Sequence, residues 1–251
     1  GTDASSILLG GGLLSISGEE NAFDGTLQVD GGAVDLGGTT QTLGSAVLSG
    51  GTIRNGTLNF KTGLTLSSGV YDAALSGSGQ LRKDATAGVL SLGADNSGFS
   101  GTVKIEGGTL KLSHDSALGE QVAVSFTTSA GDATLKLDNA SISLRSLSGG
   151  MLTGGSQGVV DLGANTLTLV TQEETTFGGS LVAAGGALVV AGVGKQVLAG
   201  DATGSTFTTA VQSGVLELVN GLALGSTPNQ IILSGGTLAL AAAGGLAAAH
   251  D

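Results

Sequence analysis

The sequence has no cysteine and no tryptophan, only one proline and one tyrosine, and few basic residues. The absence of cysteine excludes disulfides, thiolate metal sites and cysteine nucleophiles. Collagen is excluded because proline is nearly absent and the 47 glycines follow no period of three. Nine Lys and Arg face 20 Asp and Glu, giving a formal net charge of −11. This balance argues against a nucleic-acid partner and against binding to an anionic membrane surface.

The chain nevertheless contains enough apolar side chains to form a core. Hydrophobic residues make up 40% of it, so simple disorder is excluded. Aromatic residues make up only 3%, which favours a thin aliphatic core. No apolar run reaches the roughly 18 residues of a membrane helix, and no N-terminal segment has the order of a signal peptide. We therefore expect a soluble piece of a longer protein.

One stretch recurs along the chain. FSGTVKIEGGTLKL (99–112) returns as FDGTLQVDGGAVDL (23–36) and FGGSLVAAGGALVV (177–190), with a shorter copy, FTTAVQSGVLEL, at 207–218. Internal repeats of this kind are typical of a solenoid, in which each unit buries its apolar face against the next.

Within the repeat, apolar and polar residues alternate on both sides of a glycine pair. This alternation predicts two short strands joined by a corner at Gly107 and Gly108, because glycine enters left-handed backbone conformations without a side-chain penalty. We expect Lys104, Glu106 and Lys111 to point to solvent, so that replacing them changes stability by less than about 0.5 kcal/mol. The residues expected to point inward are Val103, Ile105, Leu110 and Leu112, and in the first copy Leu27, Val29, Val34 and Leu36.

The spacing of the glycine pairs predicts the architecture. Pairs followed by an alternating apolar run occur at 11–12, 31–32, 50–51, 107–108, 149–150, 185–186 and 235–236. The first three are 20 and 19 residues apart, and the next interval of 57 is three times 19. Because one coil of a parallel β-helix takes roughly 20 residues, the pairs are interpreted as one recurrent corner. We predict an all-β parallel β-helix (β-solenoid) of about 11–13 coils, forming a single domain over 1–251 with repeat units near 13–36, 89–112, 166–190 and 196–218.

The repeat resembles the passenger-associated transport repeat of bacterial autotransporters. The stretch 89–119 follows that family's order of strand, aromatic-x-Gly turn, strand, Gly-Gly and strand. Similar sequence patterns occur at 74–92, 161–170 and 176–192. The resemblance implies a right-handed parallel β-helix that is secreted or exported to the surface of a Gram-negative bacterium. It also implies a parent protein anchored by an outer-membrane barrel that is not part of this chain. The copy at 207–218 departs from the pattern because it has lost one glycine of its pair.

Three patterns could indicate nucleophilic or phosphate chemistry. Gly154-Gly155-Ser156-Gln157-Gly158 fits G-x-S-x-G, but no helix pattern follows it, and the only histidines are His114 and His250. His114-Asp115-Ser116 has the residue types of a triad, yet neighbours in sequence do not align for proton relay. Gly194-Lys195 lacks the remainder of a P-loop. We interpret all three as loops.

Carboxylate pairs are the remaining candidates for catalysis. The densest are Glu19-Glu20 with Asp24, and Glu173-Glu174. Glycoside hydrolysis needs two facing carboxyl groups, usually beside aromatic platforms, and this chain has no tryptophan. The calcium-binding Gly-Gly-x-Gly-x-Asp nonapeptide is also absent. The sequence therefore predicts no catalytic, metal or cofactor-binding residue and no cofactor.

The function predicted from these features is a non-enzymatic cell-surface passenger segment that serves as a structural stalk and adhesin. Its expected partners are a host-cell or matrix glycoprotein or glycan, or sister molecules that associate through the apolar stretch 238–249. A polysaccharide-cleaving enzyme on a β-helix fold and a pure spacer or export-folding segment are the alternatives.

Overall fold

The chain folds as a parallel β-solenoid of about eleven turns. The computed structural model describes residues 6–18, 20–21, 25–127, 131–151, 156–225 and 229–241. Throughout these ranges the regular elements are strands, and all pairings between them are parallel. The predicted all-β parallel β-helix is thus confirmed. Most of the stretch 238–249, to which self-association was assigned, lies outside the described residues, as do Phe23 and Asp24 of the first repeat.

Each turn has three sides, and stacking of the turns makes three sheets. Sheet 1 contains twelve stacked strands, which bound eleven turns: β1 (Ser6–Leu9), β3 (Thr26–Val29), the second half of β5 (Thr40–Leu48), the second half of β7 (Thr57–Leu66), β10 (Gln80–Lys83), β12 (Thr102–Ile105), β14 (Ala123–Phe126), β17 (Ser146–Gly149), β20 (Glu174–Phe177), β22 (Lys195–Leu198), β24 (Val215–Leu218) and β26 (Thr237–Leu240).

Sheet 2 and sheet 3 form the other two sides. Sheet 2 consists of β2 (Leu13–Ser15), β4 (Ala33–Asp35), β6 (Thr52–Arg54), β8 (Gly69–Tyr71), β11 (Val89–Leu92), β13 (Gly108–Leu112), β15 (Ala133–Leu137), β18 (Gly158–Gly163) and the first part of β21 (Ser180–Gly192). Sheet 3 consists of the first halves of β5 and β7 with β9 (Ala74–Ser76), and then, further along the rod, of β16 (Ile142–Leu144), β19 (Thr166–Thr171), the second part of β21, β23 (Thr206–Val211) and β25 (Ile231–Leu233).

The core is a set of aliphatic columns that run along the inside of the rod. In sheet 2, Leu110 pairs in register with Leu90 on one side and Leu135 on the other, and all three are fully buried. Because successive residues of a strand face opposite sides, in-register stacking repeats the same inward position in each turn. The eight residues predicted to point inward are all at most 2% exposed, so the predicted inside–outside register is confirmed.

The corner from sheet 1 to sheet 2 is the one at which the first glycine pairs recur. Gly12, Gly32, Gly51, Gly69 and Gly108 all have positive φ there. The turns lie so close that a Cβ on Gly51 or Gly69 would be 2.5 Å from the carbonyl oxygen of the glycine one turn earlier. The 57-residue interval between the pairs corresponds to three turns, since the strands at Gly69, Val89 and Gly108 follow one another in sheet 2. The predicted coil length is therefore confirmed over this part of the rod.

The interpretation of all the glycine pairs as one corner is wrong for two of them. Gly185-Gly186 joins the sheet 2 and sheet 3 parts of β21, and Gly235-Gly236 joins β25 of sheet 3 to β26 of sheet 1. At every corner of a three-sided coil, one strand ends, the chain bends and the next strand begins. The same local sequence can therefore serve at any of the three corners, and a pattern of neighbouring residues does not reveal which one.

The fourth copy of the repeat is longer than the sequence pattern suggested. Residues 199–225 reproduce 93–119 with a shift of 106 positions, placing Asp201 at Asp95, Ser205 at Phe99 and Gly225 at Gly119. Phe207 then occupies the position of Gly101, so alignment on phenylalanine gave this copy the wrong register. The equivalent strands lie in sheets 1 and 2 in the earlier copy and in sheets 3 and 1 in the later one. The repeat has thus advanced by one side of the solenoid.

The Phe-x-Gly element of the repeat results from close packing. The Phe99 ring stacks on Phe60, which lies two turns earlier, because Gly77 in the turn between them has no side chain; the ring centroids are 5.4 Å apart. A Cβ on Gly101 would lie 2.7 Å from the Phe99 ring and would overlap the carbonyl oxygen of Gly79. Gly179, which follows Phe177, is equally constrained by its phenylalanine and by Gly158. Glycine is needed two residues after the ring because no side chain fits there.

We expect Gly101→Ala to lower the free energy of unfolding by about 2 kcal/mol or more, because the added methyl group overpacks the contact between turns. Gly44→Ala is the matched control, since nothing lies within 4 Å of a Cβ at Gly44 and its φ is not positive. Denaturant unfolding of both variants checks this. Equal effects of the two substitutions would contradict the close-packing explanation.

Leu110→Asp should destabilise the protein by several kcal/mol, because it places a carboxylate without a partner in an apolar column. Lys104→Ala on the outer face should change the free energy of unfolding by about 1 kcal/mol or less, since its ion pair is partly exposed. Unfolding curves of the two variants measure the difference. Comparable losses would show that the strand register is incorrect.

Candidate binding surface

The outward side chains form rows along the rod because the turns stack in register. On sheet 1 one row follows paired residues across seven turns: Gln28, Val47, Thr65, Arg82, Lys104, Ser125 and Ser148. On sheet 2 a comparable row comprises Thr52, Val70, Ser91, Lys111, Lys136, Asp161 and Val182. These rows are flat, largely polar surfaces that carry small side chains and a few charges.

Glu106 lies at the centre of the charge cluster on sheet 1. Its carboxylate pairs with Arg82 of the preceding turn and, at 3.0 Å, with Lys104 of the strand β12 that ends just before it. The hydrogen bond from Arg82 holds the pKa of Glu106 below its usual value, and Lys104 lowers it further. The Glu106 side chain is only 13% exposed, so it is less accessible than the alternation predicted.

The charges on sheet 2 are also paired between turns. Lys111 lies 2.6 Å from Asp138 and Lys136 lies 3.0 Å from Asp161. The hydrogen bond from Lys111 lowers the pKa of Asp138. Lys111 and Lys136 are neighbours in the row, and each ammonium group therefore lies beside a carboxylate that offsets the repulsion between them.

Ion pairing occupies most of the basic residues. On sheet 1, Lys195 bridges Glu174 of the preceding turn and Glu217 of the next, both at 3.0 Å, and the hydrogen bond to Glu217 raises its pKa. Seven of the nine basic residues make such pairs within the described part of the chain, while Lys61 and Arg145 do not. The remaining surface charge is therefore mostly negative.

One basic residue lies inside the rod. The Lys83 side chain is fully buried at the inward end of β10, and its Nζ donates to the carbonyl oxygens of Asp84 at 3.0 Å and Thr86 at 2.8 Å. Burial lowers the pKa of this ammonium group, although the nearby Asp84 carboxylate opposes the shift. Lys83 closes the five-residue corner 84–88 from within. The period-two pattern of β10, which makes position 83 inward, was the available signal for it.

Sheet 3 is interrupted for two turns in the middle of the rod. After β9, the third side is formed by the loops 94–101 and 113–122 instead of strands, and sheet 3 resumes at β16. The buried Asn96 links the turns here: its side chain accepts from Leu75 N at 2.6 Å and donates to Ala117 O at 2.7 Å. An asparagine side chain thus takes the place of the missing strand-to-strand hydrogen bonds.

The patterns considered for nucleophilic chemistry do not assemble into a catalytic relay in the described structure. His114 Nδ1 accepts from Ser116 N at 3.1 Å, and Asp115 Oδ1 accepts from Ser141 N at 2.8 Å. These two side chains therefore form local turn and inter-turn bonds. Of the G-x-S-x-G pattern, Gly154 and Gly155 lie outside the described residues. Lys195, next to Gly194, is occupied by its two carboxylates.

The carboxylate pairs are similarly separated. Glu20 accepts from Thr40 N at 2.6 Å, and its neighbours Glu19 and Asp24 lie outside the described residues. Glu174 pairs with Lys195, whereas Glu173 is exposed at the corner between β19 and β20. No three His, Asp or Glu side chains of the described ranges converge as a metal site would require. In the same ranges there is no helix with the length and apolarity needed to traverse a lipid bilayer.

The fold and surface define a class of protein: a parallel β-solenoid with an aliphatic interior and rows of polar side chains outside. The sequence is 34% identical over 187 residues to the adhesin BmaC autotransporter of Brucella suis biovar 1 (strain 1330). The match covers 66% of this chain and 5% of that protein, so the chain spans a small part of its relative. No family model and no solved structure matches the chain. The match and the β-solenoid fold together fit the passenger domain of an autotransporter.

The lowered pKa of Glu106 predicts a pH-dependent contribution to stability. A carboxyl group whose folded pKa lies below its ordinary value of 4.5 stabilises the fold fully above that pH, and the stabilisation is lost as the pH falls through the folded pKa. The difference in the free energy of unfolding between the native protein and Glu106→Gln should therefore be constant from about pH 7 to 5 and narrow below about 4.5.

Denaturant titrations across this pH range measure that difference. Glu173→Gln is the control, because Glu173 is exposed and its replacement should leave stability nearly unchanged at each pH. If the difference in the free energy of unfolding between the native protein and Glu106→Gln did not become smaller on acidification, the ion pairs assigned to Glu106 would be contradicted.

Proposed function

We propose that this chain is a non-enzymatic segment of a passenger that is exposed on the surface of a Gram-negative bacterium or secreted, and that it contributes to adhesion. The observation that carries the proposal is the match, across 66% of the chain, to a protein named as an adhesin. The solenoid supports it, because its stability comes from the inward columns and its outward rows are free for recognition.

The proposed partners are a host-cell or matrix glycoprotein or glycan, or sister copies of the passenger. A rigid rod suits such contacts, since many weak interactions along a row act together when both partners are held on surfaces. The pairing of most basic residues leaves the outer faces polar and mostly acidic, which favours neutral or cationic partners over anionic ones.

The second candidate is a spacer or export-folding segment. The even stacking of turns favours it, because a rod of constant cross-section holds a distal domain away from the cell without binding anything itself. The enzymatic alternative receives less support, since the Glu174 carboxylate is occupied by an ion pair and Glu173 beside it is exposed at a corner.

Binding of the folded chain to epithelial cells, to immobilised matrix glycoproteins and to itself tests the adhesive role. We expect saturable binding to at least one of these surfaces, and loss of that binding once the chain has been unfolded with denaturant. Deletion of the segment from the full-length parent should weaken attachment of the bacterium. Unchanged attachment on deletion, with no binding by the isolated chain, would support the spacer instead.

A further inference from the structure

The interruption of sheet 3 leaves a groove on the third side of the rod. The groove lies between the loop 113–122 and strand β16, and its volume is about 280 Å³. This is slightly below the roughly 300–1,000 Å³ of sites for drug-sized ligands, so the groove suits one small unit. The polar side chains that line it include Ser97, Asp115, Ser116, Glu120, Ser143 and Thr168.

The strand that borders the groove has a backbone donor directed into it. Ser141 N donates to Asp115 and Arg145 N donates to Val122 O, so both amides point away from β19 and toward the loop. Backbone groups alternate in direction along a strand. Ser143 N therefore points the same way, and it has no hydrogen-bond partner among the described residues of the loop.

The lining of the groove is rich in hydrogen-bond acceptors and has negative charge. The carboxylates of Asp115 and Glu120 only accept, whereas the serine and threonine hydroxyls both accept and donate. None of the lining residues is basic. Leu118 and Ile142 border the groove but are buried, so they offer almost no apolar surface to a ligand. The complementary ligand carries several hydroxyl or ammonium donors and no anionic group.

We propose that this groove binds a single neutral or amino-substituted sugar unit of a glycan. The inference rests on the proposed adhesive function and names a partner class for it. Sugar hydroxyls donate to Glu120 and Asp115, and Ser143 N donates to a ring or hydroxyl oxygen. Sialylated, uronic or sulfated sugars are disfavoured because their charge repels the two carboxylates.

Glycan binding by the full chain tests the assignment, with neutral, amino, sialylated and sulfated oligosaccharides as probes. We expect binding of the neutral or amino sugars, with changes in the amide resonances of Ser97, Ser141 and Ser143. Glu120→Gln should weaken binding about tenfold, as loss of one charge-assisted hydrogen bond predicts. Glu173→Gln, which makes the same charge change outside the groove, should leave the affinity unchanged.

Three outcomes would overturn the proposal: no sugar bound, a preference for acidic sugars, or equal loss of affinity in Glu120→Gln and Glu173→Gln. Cell attachment is measured on the same variants. If cells attach to the native chain and to Glu120→Gln equally well, the groove plays no part in attachment, but the adhesive function stands. Absence of attachment by the native chain would instead count against the adhesive function itself.

Discussion

Every feature of this protein depends on the parallel, in-register stacking of one turn on the next. The strand ladders satisfy the backbone of each turn only through its two neighbours, because a single three-sided coil cannot pair its own strands. In-register stacking then repeats each inward position, as in the column of Leu90, Leu110 and Leu135. The same geometry repeats each outward position, so the core and the recognition surface have one common origin.

Close stacking also explains the abundance of glycine. Where a corner brings two backbones together, as at Gly51 and Gly69, a Cβ would collide with the carbonyl of the previous turn. Where a phenylalanine ring covers the backbone, as at Phe99, the residue two positions later has no room for a side chain. Loops that cannot form a ladder use Asn96 as a substitute for the missing strand bonds.

The surface is constrained by the same rows. Because equivalent positions lie one strand spacing apart, like charges would repel along a row unless a carboxylate intervened. Lys111 and Lys136 each have such a partner, and Glu106 and Lys195 each bridge two opposite charges. Loops replace strands on sheet 2 after β21 and in the interruption of sheet 3, and at the latter a groove results. A binding site on a repetitive rod needs a local shape that differs from the rest, and the interruption of sheet 3 supplies one.

The sequence by itself determined the solenoid class, the coil length and the inward register, because strand alternation and glycine spacing are local properties. It also allowed the autotransporter resemblance to be stated from the repeat. Tertiary structure decided which side of the coil each copy occupies, since Gly108, Gly186 and Gly214 begin or precede strands of three different sheets. Tertiary structure also decided that Lys83 is buried, that Glu106 pairs with both Arg82 and Lys104, and that β16 borders a groove. These three features depend on which residues of different turns come into contact. Local sequence patterns do not specify those contacts, because residues of different turns lie about 20 positions or more apart in the chain.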